Sequence, residues 1–361
     1  MAANSSGDNF NTSARGRSAV YHPWTVIPTV ALTVLVISVP LNSAILYLFA
    51  RHRHLRTGFT VYLMNLLAAN LLSVLIQIPI YLTANRLPYW WIGGPACTAY
   101  IYGYIIQSGM CNAHALISVN RLWAVCRPLS YRRLHSQRTA WLFCLLMWVY
   151  VHSLTLPGVV DDARFYRLPE PIYGCIVNKA AQPGWAFPHQ FIVFTLPAVV
   201  VFFTYPFICY QMWNRKRFLR VQVAPHSLPS SRAEAMPLAV ITIKVTGVDN
   251  ALVAFDPDPS VGEPANTDRP ADVGPLAVDT VRQKPRAFVL LTCLTLGMLV
   301  FWVPSIVFYT AIMFREVDWR PLQQIATVLW FLEAVIDPVL FTFALGDLRK
   351  AVGAAFGCRL P

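Results

Sequence analysis

Charge is what this chain has least of. Only 13% of its 361 residues are Asp, Glu, Lys or Arg, against roughly a quarter in soluble domains. Apolar residues make up 56%, and mean hydropathy is +0.49. A chain so poor in charge cannot clothe a water-facing surface, which places it among membrane proteins. Acidic residues are the scarcer sign, 17 against 29 basic, for a net charge of +12. That balance raises nucleic acid as a partner. The basic residues sit beside apolar runs, however, where topology and anionic membrane lipid account for them, and no nucleic acid binding is expected. A zinc-like cysteine-histidine cluster, a phosphate-binding glycine loop and a nucleophile-base spacing are all lacking. His114, His152 and Ser118 are scattered through apolar segments and are read as packing or hydrogen-bonding residues, so neither an enzyme nor a dedicated metal centre is expected. No apolar h-region precedes the first long apolar run, so the first helix is read as the insertion signal.

Long apolar runs are what the chain does have. A helix needs about 20 residues to cross a bilayer, and suitable runs occur near 25–50, 58–84, 98–125, 139–160, 187–212, 287–314 and 321–345. The expected fold is an all-α membrane protein, a seven-transmembrane helix bundle with a short amphipathic cytoplasmic helix. Its domains are an extracellular tail (1–23), the bundle (24–345, with a long, mostly disordered third cytoplasmic loop at 214–284), and the amphipathic helix with its tail (346–361). Basic residues collect after the first span (Arg51, Arg53, Arg56), between the third and fourth (Arg127, Arg132, Arg133, Arg138) and after the fifth (Arg215, Lys216, Arg217, Arg220). With Lys284, Arg286, Arg349 and Lys350 they mark the cytoplasmic side and put the N-terminus outside.

Cysteine usage fits that orientation. Cys97 and Cys175 both fall on the oxidising side and are paired, whereas Cys111, Cys144, Cys209 and Cys293 lie within spans as packing residues. Cys358 follows the amphipathic stretch Gly346 to Phe356, where it is either palmitoylated or a free thiol. Asn4 and Asn11 open glycosylation sequons in the outer tail. Between Val221 and Arg282, proline, serine and acidic residues crowd in as in a disordered loop.

Short motifs recur in a fixed order along the spans. Asn42 stands in the first span, Asn65-Leu66-Leu67-Ala68-Ala69-Asn70 in the second, and Trp91-Ile92-Gly93 before Cys97. Asn120-Arg121-Leu122, followed by Arg127-Pro128-Leu129, closes the third. Trp148 and Pro157 stand in the fourth, Pro197 and Tyr205 in the fifth, Trp302 and Pro304 in the sixth, and Asp337-Pro338 with Phe341 in the seventh. In order and spacing these motifs resemble the rhodopsin-like family of G protein-coupled receptors. The resemblance implies that Asn120, Arg121, Leu122, Tyr205 and Lys284 meet a heterotrimeric G protein, while Trp302, Pro304, Asp337, Pro338 and Phe341 form the activation switch. Independently of any family, prolines inside apolar helices remove a backbone hydrogen bond and create kinks.

Three departures change what the resemblance implies. Asn120 stands where the family has an acid beside its arginine, and Lys284 where a second acid often lies, so the ionic restraint on Arg121 is expected to be absent. Raised basal signalling, or an inactive state held by packing, should follow. The carboxylate usual at Asn70 has moved to Asp337, with Glu333 one turn away on the same face. Asn42, Asn70, Glu333 and Asp337 are thus read as a polar network, either structural or able to hold sodium (Na+) or share a proton. Phe341 lacks the hydroxyl of the family's tyrosine.

The expected ligand pocket is formed by Gln77, Tyr81, Tyr104, Gln107, Ser108, Trp302, Ser305, Tyr309, Thr327 and Phe331. The interval from Cys97 to Arg121 is one residue shorter than the family's, so either the helix begins differently or these positions slip by one. The upper third span offers no aspartate to an amine, and Phe331 occupies the place of an opsin's lysine. An aromatic, neutral-polar lining suits a peptide or a lipid, and the mixed charges from Asp161 to Lys179 favour peptide. The function expected is a plasma membrane receptor transducing an extracellular peptide into G-protein activation. A lipid-sensing receptor, a non-coupling scaffold and a transporter are the alternatives, and the last lacks the internal repeat that many transporters show.

Overall fold

The computed structural model describes residues 26–87, 89–222, 284–314 and 320–357. Helices are α1 (Val26–Arg51), α2 (Gly58–Ala84), α3 (Gly94–Cys126), α4 (Pro128–Leu134), α5 (Gln137–Asp161), α6 (Glu170–Tyr173), α7 (Pro183–His189), α8 (Leu196–Gln222), α9 (Lys284–Phe314), α10 (Arg320–Ala344) and α11 (Gly346–Phe356). A π-helical stretch, Gln190–Thr195, joins α7 to α8 in one continuous rod, and another, Asp162–Tyr166, prolongs α5. The chain is therefore an all-α bundle. By length and composition α1, α2, α5, the α7–α8 rod and α10 are apolar enough to cross a membrane, and α9 contributes a shorter apolar stretch, Val300–Phe314.

Local chemistry explains several helix boundaries. Thr57 and Thr60 form a capping box at the start of α2, each hydroxyl accepting the other's backbone N–H at 3.2 and 2.8 Å. Ser136 caps α5 by accepting from the Thr139 N–H. Gly93 takes φ 85°, open to glycine without strain, and Pro95 follows in the first turn of α3. The Trp90 indole donates to the Gly93 carbonyl at 2.9 Å. Trp90, rather than Trp91, is therefore the buried tryptophan of this corner, since Trp91 is exposed.

α3 runs through the centre, packed on α2, α5 and α8, while α10 closes the ring against α9 and α1. Its position explains its composition. Gln107, Ser108, Asn112, His114, Ser118 and Asn120 are all buried on it, facing neighbouring helices rather than lipid. α11 returns along the bundle and buries Leu348, leaving Lys350 and Asp347 exposed.

The helices match the expected runs with shifts at their ends. α3 begins at Gly94, and α8 runs on to Gln222, into the stretch expected to be loop. The remainder of that loop, the sequons at Asn4 and Asn11, and Cys358 lie outside the described residues. Between α3 and α5 the short helix α4 has no counterpart among the expected elements.

Candidate functional site

Three side chains converge at the middle of the bundle. Glu333 and Asp337, one turn apart on α10, are buried at 1% and 3% exposure, and His114 of α3 at 4%. The His114 Nε2 lies 3.0 Å from Glu333 Oε1 and 3.6 Å from Asp337 Oδ2. Each carboxylate has a further donor from another helix: the Trp302 indole of α9 donates to Glu333, and the Asn70 amide of α2 donates to Asp337 at 3.0 Å. Among the described residues Glu333 Oε2 and Asn70 Oδ1 have no hydrogen-bond partner. If both carboxylates ionise, one imidazolium cannot balance them. The buried cluster is thus able to coordinate a cation.

His114, expected only as a packing or hydrogen-bonding residue, was not among the residues expected in the polar network, and the structure places it beside both carboxylates. A signal was present: it lies seven residues, two turns, before Arg121 and so shares its inward face. Asn42 stands apart from the carboxylates. Its amide donates to the carbonyls of Ala334 and Ser38, both at 2.8 Å. Ala334 is four residues before Pro338, so Asn42 supplies the hydrogen bond that proline cannot. Asn112 does the same for the Val193 carbonyl, four residues before Pro197, at 3.0 Å. These amides tie α1 to α10 and α3 to the π-helical stretch at the points where a helix has lost a bond.

At the inner end, Asn120 accepts from the Tyr131 hydroxyl of α4 at 3.2 Å. Arg121 turns the other way and places its guanidinium over the Phe59 ring of α2, 3.2 Å from the centre. Among the described residues no carboxylate pairs with it. Tyr131 stacks on His135 at 4.3 Å between centroids, and burial, with the Arg121 charge second, lowers His135 from 6.5 to about 4. Leu122 and Tyr205 pack with Val125 and Ile208. Lys284 begins α9, but its side chain lies outside the described residues.

At the outer end, Cys97 and Cys175 form a disulfide with Cα atoms 5.4 Å apart, fastening the outer loop to α3. Beside it a cleft of about 360 Å³ is lined by Tyr81, Trp90, Tyr100, Ile172, Tyr173 and Cys175, among others. Of the expected pocket residues, Tyr81 lines this cleft and packs edge-on against Phe331 at 5.4 Å. Tyr104 lies edge-on to Tyr100 at 5.8 Å. Gln77 accepts from Ser73 at 2.9 Å and fills the space a side chain at Gly103 would need. Gln107, Ser108 and Ser305 are buried, and Thr327 donates to the Gln323 carbonyl at 2.8 Å. Lys179, which sequence did not single out, reaches in from the outer loop to 5.3 Å from the Tyr309 ring. Burial lowers it from 10.5 to about 8, and among the described residues it pairs with no carboxylate.

The residues expected to form the switch lie in or beside the buried interior of the bundle. Trp302 is 1% exposed and Phe341 0%, both in the central apolar core, with Pro304 half-buried above and Pro338 buried beside Asp337. Trp148 of α5 donates to Asn65 of α2 at 2.8 Å, joining two residues that sequence placed on separate helices. An interhelical bond of this kind contributes on the order of 0.6 kcal/mol, so it sets register more than stability.

Among curated proteins, the chain is 28% identical over 188 residues to the rat melatonin receptor type 1B, covering 51% of this chain and 50% of that receptor. It is 31% identical over 163 residues to bovine lysophosphatidic acid receptor 5, covering 44% and 43%. To zebrafish melatonin receptor type 1B-A it is 24% identical over 257 residues, covering 70% and 86%. The first two alignments thus span half or less of those receptors. Residues 41–341 match the family described as 7 transmembrane receptor (rhodopsin family), a non-enzymatic signal-transducing family. With that match over most of its length, the chain belongs to the rhodopsin family of seven-transmembrane receptors.

Proposed function

We propose that the protein is a plasma membrane receptor of seven spans, N-terminus outside, that transduces a lipid or other small extracellular ligand into G-protein activation. The match of residues 41–341 to the receptor family carries this reading. The ligand class moves away from the peptide expected from the charged outer loop. Relatives named for melatonin and lysophosphatidic acid support a small or lipid ligand, as does the aromatic outer cleft. Lys179, a poorly solvated cation beside Tyr309, supports a ligand bearing an anionic group.

Ligand binding shifts a pre-existing population toward an open inner face. In the resting state Arg121 is held by the Phe59 ring and Asn120 by Tyr131, so packing replaces the missing ionic restraint. Cation–π contacts contribute about 1 kcal/mol when exposed and about 2 when desolvated, enough to bias the equilibrium and weak enough to release. The G protein docks at the inner end of α3 near Arg121 and Leu122. A cation at the His114–Glu333–Asp337 cluster stabilises the closed bundle. The test is a screen of lysophospholipid, small aromatic and peptide panels on cells expressing the receptor, read through several G proteins. A lipid or small aromatic agonist is expected, and responses confined to peptides would overturn the ligand class.

A further inference from the structure

Sodium was a natural expectation for two carboxylates and asparagines. The imidazole of His114 changes the donor set, and we infer that the cluster of His114, Glu333 and Asp337 is a site for a zinc-like divalent cation rather than for sodium. This rests on the cation reading above but names a different ion.

Donor chemistry comes first. Sodium is a hard ion satisfied by oxygen, whereas an imidazole nitrogen with carboxylates suits zinc and neighbouring transition metals. Geometry agrees. Zinc–ligand bonds of about 2.0–2.1 Å in a tetrahedron put adjacent ligand atoms roughly 3.3 Å apart. The two distances from His114 Nε2, 3.0 Å to Glu333 and 3.6 Å to Asp337, straddle that edge, and one donor atom from each residue lies within 4.8 Å of the others.

Charge points the same way. Two buried carboxylates with a neutral imidazole require two positive charges, which one dication supplies. The surroundings also have the form of an outer shell. Each ligating carboxylate is oriented by one donor from a helix that carries no ligand: Trp302 on Glu333 and Asn70 on Asp337. Glu333 Oε2, buried without a partner among the described residues, remains for one of the metal's other positions, with water as the alternative fourth ligand. A bound dication would clamp α3 to α10 and, through Trp302, stiffen α9 against the outward swing that opens the inner face. The ion is therefore expected to stabilise the resting receptor.

The test uses the full-length receptor in detergent, stripped by chelator and titrated with Co2+, whose visible absorption reports tetrahedral coordination, and then with Zn2+ as competitor. Thermal unfolding with and without Na+ is measured in parallel. Expected is one tightly bound Co2+ per receptor, displaced by Zn2+ and raising the melting temperature. Binding should weaken at least tenfold in H114Q and in D337N, and stay unchanged in H152Q, where the histidine bonds Tyr102 away from the cluster. Elution as a monodisperse peak qualifies each variant, and D337N, which preserves shape, stands in if H114Q does not fold. Equal Co2+ binding in folded H114Q and wild type would overturn the inference. So would stabilisation by Na+ with no Co2+ bound, an outcome that leaves the cation reading standing. Indifference to both ions would remove both.

Discussion

Arg121 at the inner end of α3 lies against Phe59 at the start of α2, its guanidinium 3.2 Å from the ring centre. The neighbouring residue, Asn120, is engaged by Tyr131 instead of by its arginine. Two adjacent residues that would restrain each other as an acid and a base are here held separately, one by a ring and one by a phenol.

That separation makes Asn120→Asp informative. A carboxylate beside Arg121 adds a charge-assisted bond of about 1.5–3 kcal/mol in the resting state. Ligand-free second-messenger output at matched surface expression should fall on the order of tenfold. An unchanged output would mean that Arg121 does not report the resting state.

The link between Asn42 and Pro338 is open to a double-mutant cycle. Asn42→Ala leaves the Ala334 carbonyl without its donor and should cost about 0.6–1.7 kcal/mol of stability. In a Pro338→Ala background the helix supplies its own N–H to that carbonyl, so the same change should cost much less. Equal costs in both backgrounds, measured by thermal unfolding in detergent, would break the connection.

Lys179 carries a pH dependence. Burial lowers it to about 8, so the folded receptor loses this charge at a lower pH than an exposed lysine would. An anionic ligand needs the protonated form, and its affinity should be full at neutral pH and decline as pH rises through 8. Lys179→Arg should hold affinity to higher pH. An anionic agonist whose affinity is flat from pH 7 to about 9 in the wild type would exclude Lys179 from its site.

His135 gives stability a pH dependence. Its value falls from 6.5 when unfolded to about 4 when stacked on Tyr131 and 3.2 Å from the Tyr62 hydroxyl. The unfolded chain binds the extra proton, so stability is full above 6.5 and is lost progressively as pH falls toward 4. His135→Phe, which keeps a ring against Tyr131, should flatten the acid limb of a plot of melting temperature against pH. An unaltered acid limb would place the titration elsewhere.

The bundle was legible because its signals are local. Apolar runs of spanning length marked the helices, and prolines marked where they lose bonds. The disulfide followed from which side of the membrane each cysteine faces. What sequence hid was the partner of each exception. That Asn42 answers Pro338 and Asn112 answers Pro197 depends on which helices become neighbours. His114 looked like an isolated polar residue because the acids it meets are more than two hundred positions away. Phe59 gave no sign of facing Arg121, since an aromatic at the head of an apolar helix has many places to pack. The unusual residues were visible one at a time, and their compensation required the fold.

The most direct measurement is nucleotide exchange on purified G proteins by the receptor reconstituted in vesicles without ligand. Losing a cation–π contact of about 1–2 kcal/mol should make Phe59→Ala accelerate exchange about fivefold or more, and adding Arg121→Ala to that variant should return exchange to the receptor-free level. Exchange indistinguishable from receptor-free vesicles in wild type and Phe59→Ala alike, across the panel of G proteins and with protein folded and bilayer-inserted, would contradict a coupling receptor held by Phe59.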